Sequence, residues 1–153
     1  MDVDVLAYDV EGWGVGELWF AGERLVNHEL PTAGGRGKRT PHPLADRVRA
    51  YFGGEPSDFA AADLDLDWCT PFQAAVAAAL RRIPYGETVT YGELAALAGY
   101  PNAHRAVGSF CARNRFPLFL PCHRVVAAGG PGPYGSLGTD YKRRMLALEG
   151  VVL

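Results

Sequence analysis

A cysteine followed directly by a histidine stands in the stretch LPCHRVV, residues 120–126. The thiolate form of cysteine is a strong nucleophile, and a neighbouring base or positive charge favours that form. His123 and Arg124, which follow Cys122, are groups of these two kinds. Three interpretations are open at this point: a nucleophile, a metal ligand, or a small buried apolar residue, which is the commonest state of a lone cysteine.

The geometry of an extended chain limits how Cys122 and His123 can work together. Neighbouring side chains point to opposite faces of a strand, so the imidazole cannot simply lie on the sulfur. If Cys122 is a nucleophile, we therefore expect either a sharp turn of the backbone or a water molecule between the thiol and the imidazole. An acid must then fix the histidine tautomer, as in other nucleophile–His–acid triads. Glu149 is the best candidate, with a solvated helix end as its alternative interpretation.

Arg105 is a second candidate, because it is the single cation in the segment NAHRAVGSFCA, residues 102–112. A helix face of small residues allows close approach to a large partner, and one long cation can reach beyond it into a DNA groove. Solvation of the arginine and core packing of the small residues are the alternative interpretations. The small residues of this segment are Ala103, Ala106, Gly108 and Ser109.

The composition is that of a globular protein, with 48% apolar and 21% charged residues in a chain of 153. No apolar run is long enough for a membrane span, and the acidic start lacks the features of a secretion signal. The three cysteines are odd in number and follow no zinc-binding spacing. We therefore expect a cytoplasmic protein with reduced thiols and without a metal or other cofactor.

Charge is distributed unequally along the chain. Residues 1–69 hold six basic and thirteen acidic residues, whereas residues 70–153 hold nine and four. Only the second half is suited to broad contact with a polyanion. A chance difference between solvated faces explains the asymmetry equally well.

The sequence pattern predicts an α/β (α+β) fold with two subdomains. Partly alternating apolar residues between glycines predict short strands in residues 2–30, and residues 43–54 have helical periodicity. The acidic connector 55–68 separates this part from a helical second half. We place the domain boundary there, giving an N-terminal α/β subdomain at residues 1–67 and a C-terminal helical domain at residues 68–153.

Capping signals predict where the helices of the second half begin. Thr70, followed by proline, begins one helix, and Thr90 with Glu93 forms a capping box for the next. Asn102 is expected to cap a third helix. The short connection Gly99–Pro101 makes the second and third helices a predicted helix-turn-helix.

Three further segments complete the prediction. Residues 116–121 are expected to form a short buried strand or an extended segment, and residues 129–138 a glycine- and proline-rich loop. The last helix is predicted to have Thr139 as its cap.

Four motifs make the chain resemble the O6-alkylguanine-DNA alkyltransferases, also called methylated-DNA–protein-cysteine methyltransferases: TVTYGELAALAG, RAVGSFCARN, LPCHRVV and the late EG, in this order. The resemblance is strong over residues 68–153. It implies DNA repair by irreversible, stoichiometric transfer of the alkyl group from O6-alkylguanine to Cys122. The implied partner is double-stranded DNA, bound through the minor groove by a monomer that needs no cofactor and no obligate protein partner.

The resemblance also implies the roles of individual residues near the thiol. Cys122 accepts the alkyl group, and His123 with Glu149 deprotonates it through a water molecule. Asn114 braces the active-site turn. Tyr91 donates a hydrogen bond to the departing guanine and crowds a phosphate of the target strand.

Base extrusion and base recognition are implied in the same way. Arg105 enters the stack where the flipped nucleotide was, and the carbonyl of Val125 reads the guanine amino group. The loop GPYGSLG departs from the family pattern by an extra residue, so either Tyr134 or Ser136 serves as its contact to the base. Some members bind zinc through cysteines of the N-terminal subdomain; no cysteine precedes Cys69 here, so no such site is expected.

Three alternative interpretations require sequence features that differ from those of an alkyltransferase. Alkyltransferase-like proteins, which recognise the lesion without repairing it, lack the nucleophilic cysteine that this chain keeps. An unrelated cysteine hydrolase needs an oxyanion hole, for which the sequence has no signature. If Cys122 were purely structural, the joint presence of Tyr91, Arg105, Asn114 and Glu149 would be a coincidence.

Overall fold

The computed structural model describes residues 2–153. They form two compact units, one from residues 2–65 with Arg115–Pro117 and one from Leu66–Asn114 with Leu118–Leu153. The mixture of strands and helices confirms the predicted α/β (α+β) class. No pattern in the sequence indicated that the segment at 115–117 joins the first unit.

A three-stranded antiparallel sheet forms the first unit's framework. Strands β1 (Asp4–Val10), β2 (Gly14–Ala21) and β3 (Arg24–Thr32) lie side by side in chain order. Gly12 and Gly22 in the connecting turns have φ values of 79° and 62°, which glycine adopts without steric cost. Helix α1 (Pro43–Phe52) packs against β1 with Val48 and Tyr51 fully buried, as its helical periodicity predicted.

His28 of β3 attaches the segment 115–117 to this sheet. Its backbone N–H donates to the Arg115 carbonyl at 2.8 Å, and its Nδ1 lies 2.7 Å from the Pro117 carbonyl. A carbonyl only accepts, so Nδ1 carries the hydrogen and Nε2 accepts from the Tyr8 hydroxyl at 2.5 Å. Burial lowers the pKa of His28 to about 4, although the bond to Pro117 opposes the shift.

The second unit is mainly helical and also contains a two-stranded parallel sheet. Its elements are α2 (Pro71–Arg81), β4 (Val89–Thr90), α3 (Tyr91–Leu97), α4 (His104–Ala112), β5 (Val125–Val126) and α5 (Thr139–Leu148). Strand β4 pairs with β5, so the start of α3 lies beside the chain that leaves Cys122.

The predicted start signals of α2 and α3 are confirmed. Thr70 caps α2 in a reciprocal capping box with Gln73, and Thr90 does the same for α3 with Glu93. Helices α3 and α4 pack against each other as a helix-turn-helix. The cap predicted for α4 is wrong: Ala103 is the N-cap, without a side-chain hydrogen bond, because Asn102 lies in the left-handed region at φ 75°.

Two other sequence predictions need correction. Gly138, not Thr139, is the N-cap of α5; the threonine hydroxyl instead donates to the Gly132 carbonyl at 3.1 Å and so holds the preceding loop. Residues 116–121 are buried as predicted but form no strand, because Leu118 at φ 76° interrupts the extended backbone.

Candidate active site

Cys122 begins a single turn of 3-10 helix, Cys122–Arg124, that leads directly into β5. The Arg124 N–H closes this turn on the Pro121 carbonyl at 2.9 Å. Pairing of β5 with β4 then fixes the direction in which the chain leaves. The sharp backbone turn was one of the two arrangements expected for a working Cys–His pair.

The thiol of Cys122 is buried and hydrogen-bonded. Asn114 Nδ2 donates to Sγ at 3.1 Å and to the Leu120 carbonyl at 2.8 Å. Burial raises the pKa of Cys122, while the bond from Asn114 and the positive charge of Lys142 oppose that shift. The net rise leaves the thiol protonated at neutral pH, so a nucleophilic reaction needs a base.

Glu149, the C-cap residue of α5, accepts several hydrogen bonds. His123 Nε2 lies 2.6 Å from Oε2, and the Gly86 N–H donates to Oε1 at 2.8 Å. Arg124 donates from Nε to Oε1 at 2.9 Å and from Nη2 to Oε2 at 3.2 Å, and its Nη1 bonds the Ile83 carbonyl. The side chain is fully buried, so a solvated helix end is the wrong interpretation of Glu149.

The hydrogen bonds around Glu149 determine the ionisation state of its carboxylate and the tautomer of His123. Burial raises the pKa of Glu149, but the hydrogen bonds from His123, Arg124 and Gly86 outweigh it and bring the pKa to about 2. The carboxylate can only accept, so Nε2 of His123 carries a hydrogen and Nδ1 keeps a lone pair that can take a proton. Burial also lowers the pKa of His123, against the effect of Glu149, so the resting imidazole is neutral.

Lys142 of α5 is fully buried in the same region, although no motif in the sequence indicated a role for it. Its Nζ donates to the Val125 carbonyl at 2.5 Å and to the Pro133 carbonyl at 3.2 Å, and lies 5.7 Å from the centre of the Tyr91 ring. Burial lowers the pKa of its ammonium group. The one available signal was its spacing, four residues before the buried Leu146 on the same helix face.

The predicted base-pocket residues lie in different environments. Val125 and Tyr134 are buried, and Ser136 is exposed. Of the two loop candidates, Tyr134 is the one whose hydroxyl group opposes the rise in the pKa of Cys122.

Helix α4 presents its small residues outward, as the DNA-binding interpretation required. Arg105, Ala106 and Ser109 are exposed, Ala103 and Gly108 are half-exposed, and Val107 and Phe110 point into the core. Core packing is therefore the wrong interpretation of the exposed Ala106 and Ser109.

Tyr91, the first residue of α3, lies between α4 and the thiol region. A Cβ atom on Gly108 would lie 4.0 Å from Tyr91 Cδ1. Burial raises the pKa of Tyr91 to about 12, with added effects of Cys111 and Cys122. The phenol therefore stays protonated and can donate a hydrogen bond.

Two kinds of site are absent from residues 2–153. No helix there is long and apolar enough to cross a membrane. The same residues contain no group of three or more histidine, cysteine or acidic side chains that could hold a metal ion.

The sequence is similar to known proteins over most of its length. Residues 71–151 match a family model described as the DNA-binding domain of 6-O-methylguanine DNA methyltransferase. The methylated-DNA–protein-cysteine methyltransferase of Mycobacterium bovis is 45% identical over 117 residues, which are 72% of this chain and 68% of that protein. The protein of the same name from Methanopyrus kandleri is 43% identical over 117 residues, 76% of this chain and 86% of its own.

Solved structures are similar over nearly the whole chain. The O6-methylguanine methyltransferase of Mycobacterium tuberculosis superposes with a TM-score of 0.80 at 36% identity, covering 97% of this chain and 93% of that one. The structure of OGT from Mycobacterium tuberculosis in complex with DNA gives a TM-score of 0.79 at 39% identity, with coverage of 95% and 91%.

Proposed function

Because the chain belongs to the O6-methylguanine-DNA methyltransferase family, we propose that Cys122 is the cysteine that receives the alkyl group from O6-alkylguanine. The protein repairs DNA by transferring an alkyl group from the damaged base to one of its own cysteines. The observation that carries the choice of Cys122 is its place in one turn with His123, whose imidazole Glu149 holds by a 2.6 Å bond. Cys69 and Cys111 lie on other segments of the chain.

The reaction begins with a proton that leaves the thiol. It passes from Cys122 Sγ through a water molecule to Nδ1 of His123, and the carboxylate of Glu149 stabilises the imidazolium that results. Asn114 holds the sulfur during this step through its 3.1 Å hydrogen bond.

The thiolate then attacks the alkyl carbon. A sulfur–carbon bond forms as the carbon–O6 bond breaks, and the electron pair of that bond leaves with the guanine. The protonated hydroxyl of Tyr91 donates a hydrogen bond to the departing base. The product is a thioether, which has no good leaving group, so each protein molecule reacts once.

The target base must leave the duplex to reach a thiol that is only 3% exposed. Helix α4 enters the minor groove with its small residues, and Arg105 fills the gap in the base stack. In the pocket, the Val125 carbonyl accepts from the guanine amino group, and Tyr134 and Ser136 belong to the loop that covers the base. The small residues against the groove are Ala103, Ala106, Gly108 and Ser109.

All these groups come from one chain, which supports action as a monomer without an obligate protein partner. The three cysteines are free thiols, a state that suits action on DNA in a reducing cytoplasm. The proposed chemistry uses groups of the protein and one water molecule and needs no metal or cofactor.

The proposal is tested by three matched cysteine variants. Cys122→Ala should bind duplex DNA but leave O6-methylguanine in it, whereas Cys69→Ala and Cys111→Ala should remove the lesion as the parent protein does. The measurement is the O6-methylguanine content of a duplex after incubation with excess protein. Repair by Cys122→Ala, or loss of repair with Cys111→Ala alone, would assign the acceptor elsewhere.

A further inference from the structure

The loop of residues 129–138, which the proposed function places over the flipped base, contains five glycines. Glycine gives a backbone more freedom than any other residue, so contacts with ordered neighbours must determine the shape of this loop. One such contact is a turn within the loop. The N–H groups of Leu137 and Gly138 both donate to the Tyr134 carbonyl, at 3.2 Å and 3.1 Å. This turn fixes the backbone of Tyr134 but leaves its side chain to be held by another group.

The ring of Tyr134 packs against the ring of Tyr141, the third residue of α5. The two rings stack with their centroids 6.3 Å apart and their planes inclined by 29°. Tyr134 is 8% exposed, and Tyr141 is half-buried. Burial raises the pKa of Tyr141, against the effect of Arg144, so its side chain stays a neutral phenol. The stack therefore joins a glycine-rich loop to the first turn of a regular helix.

The loop that this stack holds lies beside groups of the candidate active site. The Tyr134 hydroxyl opposes the rise in the pKa of Cys122. A Cβ atom on Gly132 would lie 3.4 Å from the Tyr91 hydroxyl oxygen, and one on Gly135 would lie 3.9 Å from the Ala112 carbonyl oxygen at the end of α4. A shift of the Tyr134 ring would therefore change the space between the loop and the thiol.

We propose that Tyr141 is a positioning residue for O6-alkylguanine: its ring holds Tyr134, and with it the loop 129–138, at the distance that a flipped base requires. The proposal rests on the function proposed above. Helix α5 then positions the site from both ends, because Glu149 at its C-terminal end holds the imidazole of His123.

A rival role for Tyr141 is a general contribution to the stability of the fold. The two roles predict different behaviour toward iodoacetamide, a small reagent that alkylates thiols and needs no base pocket. If Tyr141 holds the loop over the thiol, its removal exposes Cys122 and leaves the other cysteines as they were. If Tyr141 stabilises the fold in general, its removal also makes Cys69 more reactive, a half-buried thiol that lies just before α2.

The test compares Tyr141→Ala with the parent protein, with Tyr141→Phe and with Arg143→Ala, an exposed change on the same helix. In Tyr141→Ala the half-saturating concentration of the free base O6-benzylguanine should rise about 3- to 10-fold, which corresponds to the loss of one aromatic pair. The maximal rate should change less. Tyr141→Phe keeps the ring and should behave like the parent, as should Arg143→Ala.

Alkylation by iodoacetamide is followed for each cysteine by peptide mass spectrometry. In Tyr141→Ala the reaction of Cys122 should become faster while that of Cys69 stays unchanged, so the thiol reagent and the guanine substrate respond in opposite directions. Affinity for undamaged duplex DNA should stay unchanged, which shows that the protein is folded. If Tyr141→Ala does not fold, Tyr141→Leu, which keeps an apolar side chain without a flat ring, must show the same opposite changes.

Three results would overturn the positioning role: an unchanged half-saturating concentration in Tyr141→Ala, an equal loss in Tyr141→Phe, or faster alkylation of Cys69 together with Cys122. Failure of the parent protein to remove O6-methylguanine from duplex DNA would contradict the proposed function instead. The two proposals can therefore fail independently.

Discussion

His123 and Arg124, neighbours in the chain, bind the same carboxylate: their nitrogens lie 2.6 Å and 2.9 Å from the two oxygens of Glu149. The single 3-10 turn makes this possible, because an extended chain would point the two side chains in opposite directions. Arg124 neutralises the buried carboxylate and keeps it ionised, and His123 thereby gains a fixed acceptor for Nε2. The arginine is thus a support for the general base.

Changing Glu149 to glutamine should damage both reaction and stability. The rate of alkyl transfer should fall about 100- to 10,000-fold, because a neutral amide does not stabilise the imidazolium. The free energy of unfolding should fall by about 3 to 5 kcal/mol, because Arg124 is left buried without its counter-charge. Single-turnover transfer and urea unfolding measure the two effects, with the exposed Glu87→Gln as control. A transfer rate like that of the control would remove Glu149 from the mechanism.

Acid should destabilise the first unit through His28. The folded-state pKa of about 4 lies below the ordinary value of 6.5, so the folded protein binds fewer protons than the unfolded chain between these values. The contribution of His28 to the free energy of unfolding is fully present above pH 6.5 and is lost as the pH falls through 4. The total loss is on the order of 3 kcal/mol. The pKa of Glu149, lowered from 4.5 to about 2, places its own loss at lower pH.

Urea unfolding at several pH values from 7 to 4 measures this dependence. His28→Gln should be less stable than the parent at pH 7 and should lose less on acidification. His104→Gln, an exposed histidine on α4, is the matched control and should follow the parent. An unchanged pH profile in His28→Gln would mean that other groups cause the acid loss.

The sequence predicted the elements whose signals are local. The N-cap at Thr70, the capping box at Thr90 and the helical period of residues 43–54 depend on neighbours within a few positions, and all three were correct. The caps at Asn102 and Thr139 failed for a different reason. Whether a polar residue caps a helix depends on its own backbone angles, which the connections before α4 and α5 determine.

The site could be predicted only where its residues form family motifs. Cys122, His123, Glu149 and Asn114 lie together as their motifs implied. Lys142 and Arg124 were missed or left open, because a lysine or arginine is normally exposed and only tertiary packing shows that it is buried. Attachment of the segment 115–117 to β3 joins residues far apart in the chain, and no periodicity records such a pairing.

Arg105→Ala should weaken repair of a duplex far more than reaction with free O6-benzylguanine. Extruding a base costs a few kcal/mol, and the arginine offsets part of that cost, so a loss of roughly tenfold or more is expected on duplex alone. Arg82→Ala, a change of the exposed C-cap residue of α2, serves as control. Equal losses on the two substrates would mean that Arg105 supports the fold.

DNA binding should depend moderately on salt and little on sequence. With about 3 to 5 phosphates neutralised, the slope of log affinity against log salt should be roughly −3 to −5. The exposed face of α4 offers Ala106 and Ser109 in place of side chains that read base edges, so two unrelated undamaged duplexes should bind alike. Titrations at several salt concentrations measure both quantities. A slope near zero, or a hundredfold preference for one duplex, is incompatible with sequence-independent binding in the minor groove.

The central claim is that Cys122 takes one alkyl group and keeps it. The most direct measurement is mass spectrometry of the intact protein and of its peptides after incubation with excess duplex that contains O6-methylguanine. We predict that each molecule gains one methyl group, on the peptide that carries Cys122, and that no further lesion is repaired once all protein has reacted. A methyl group on Cys69 or Cys111, or repair of more lesions than there are protein molecules, would contradict the account.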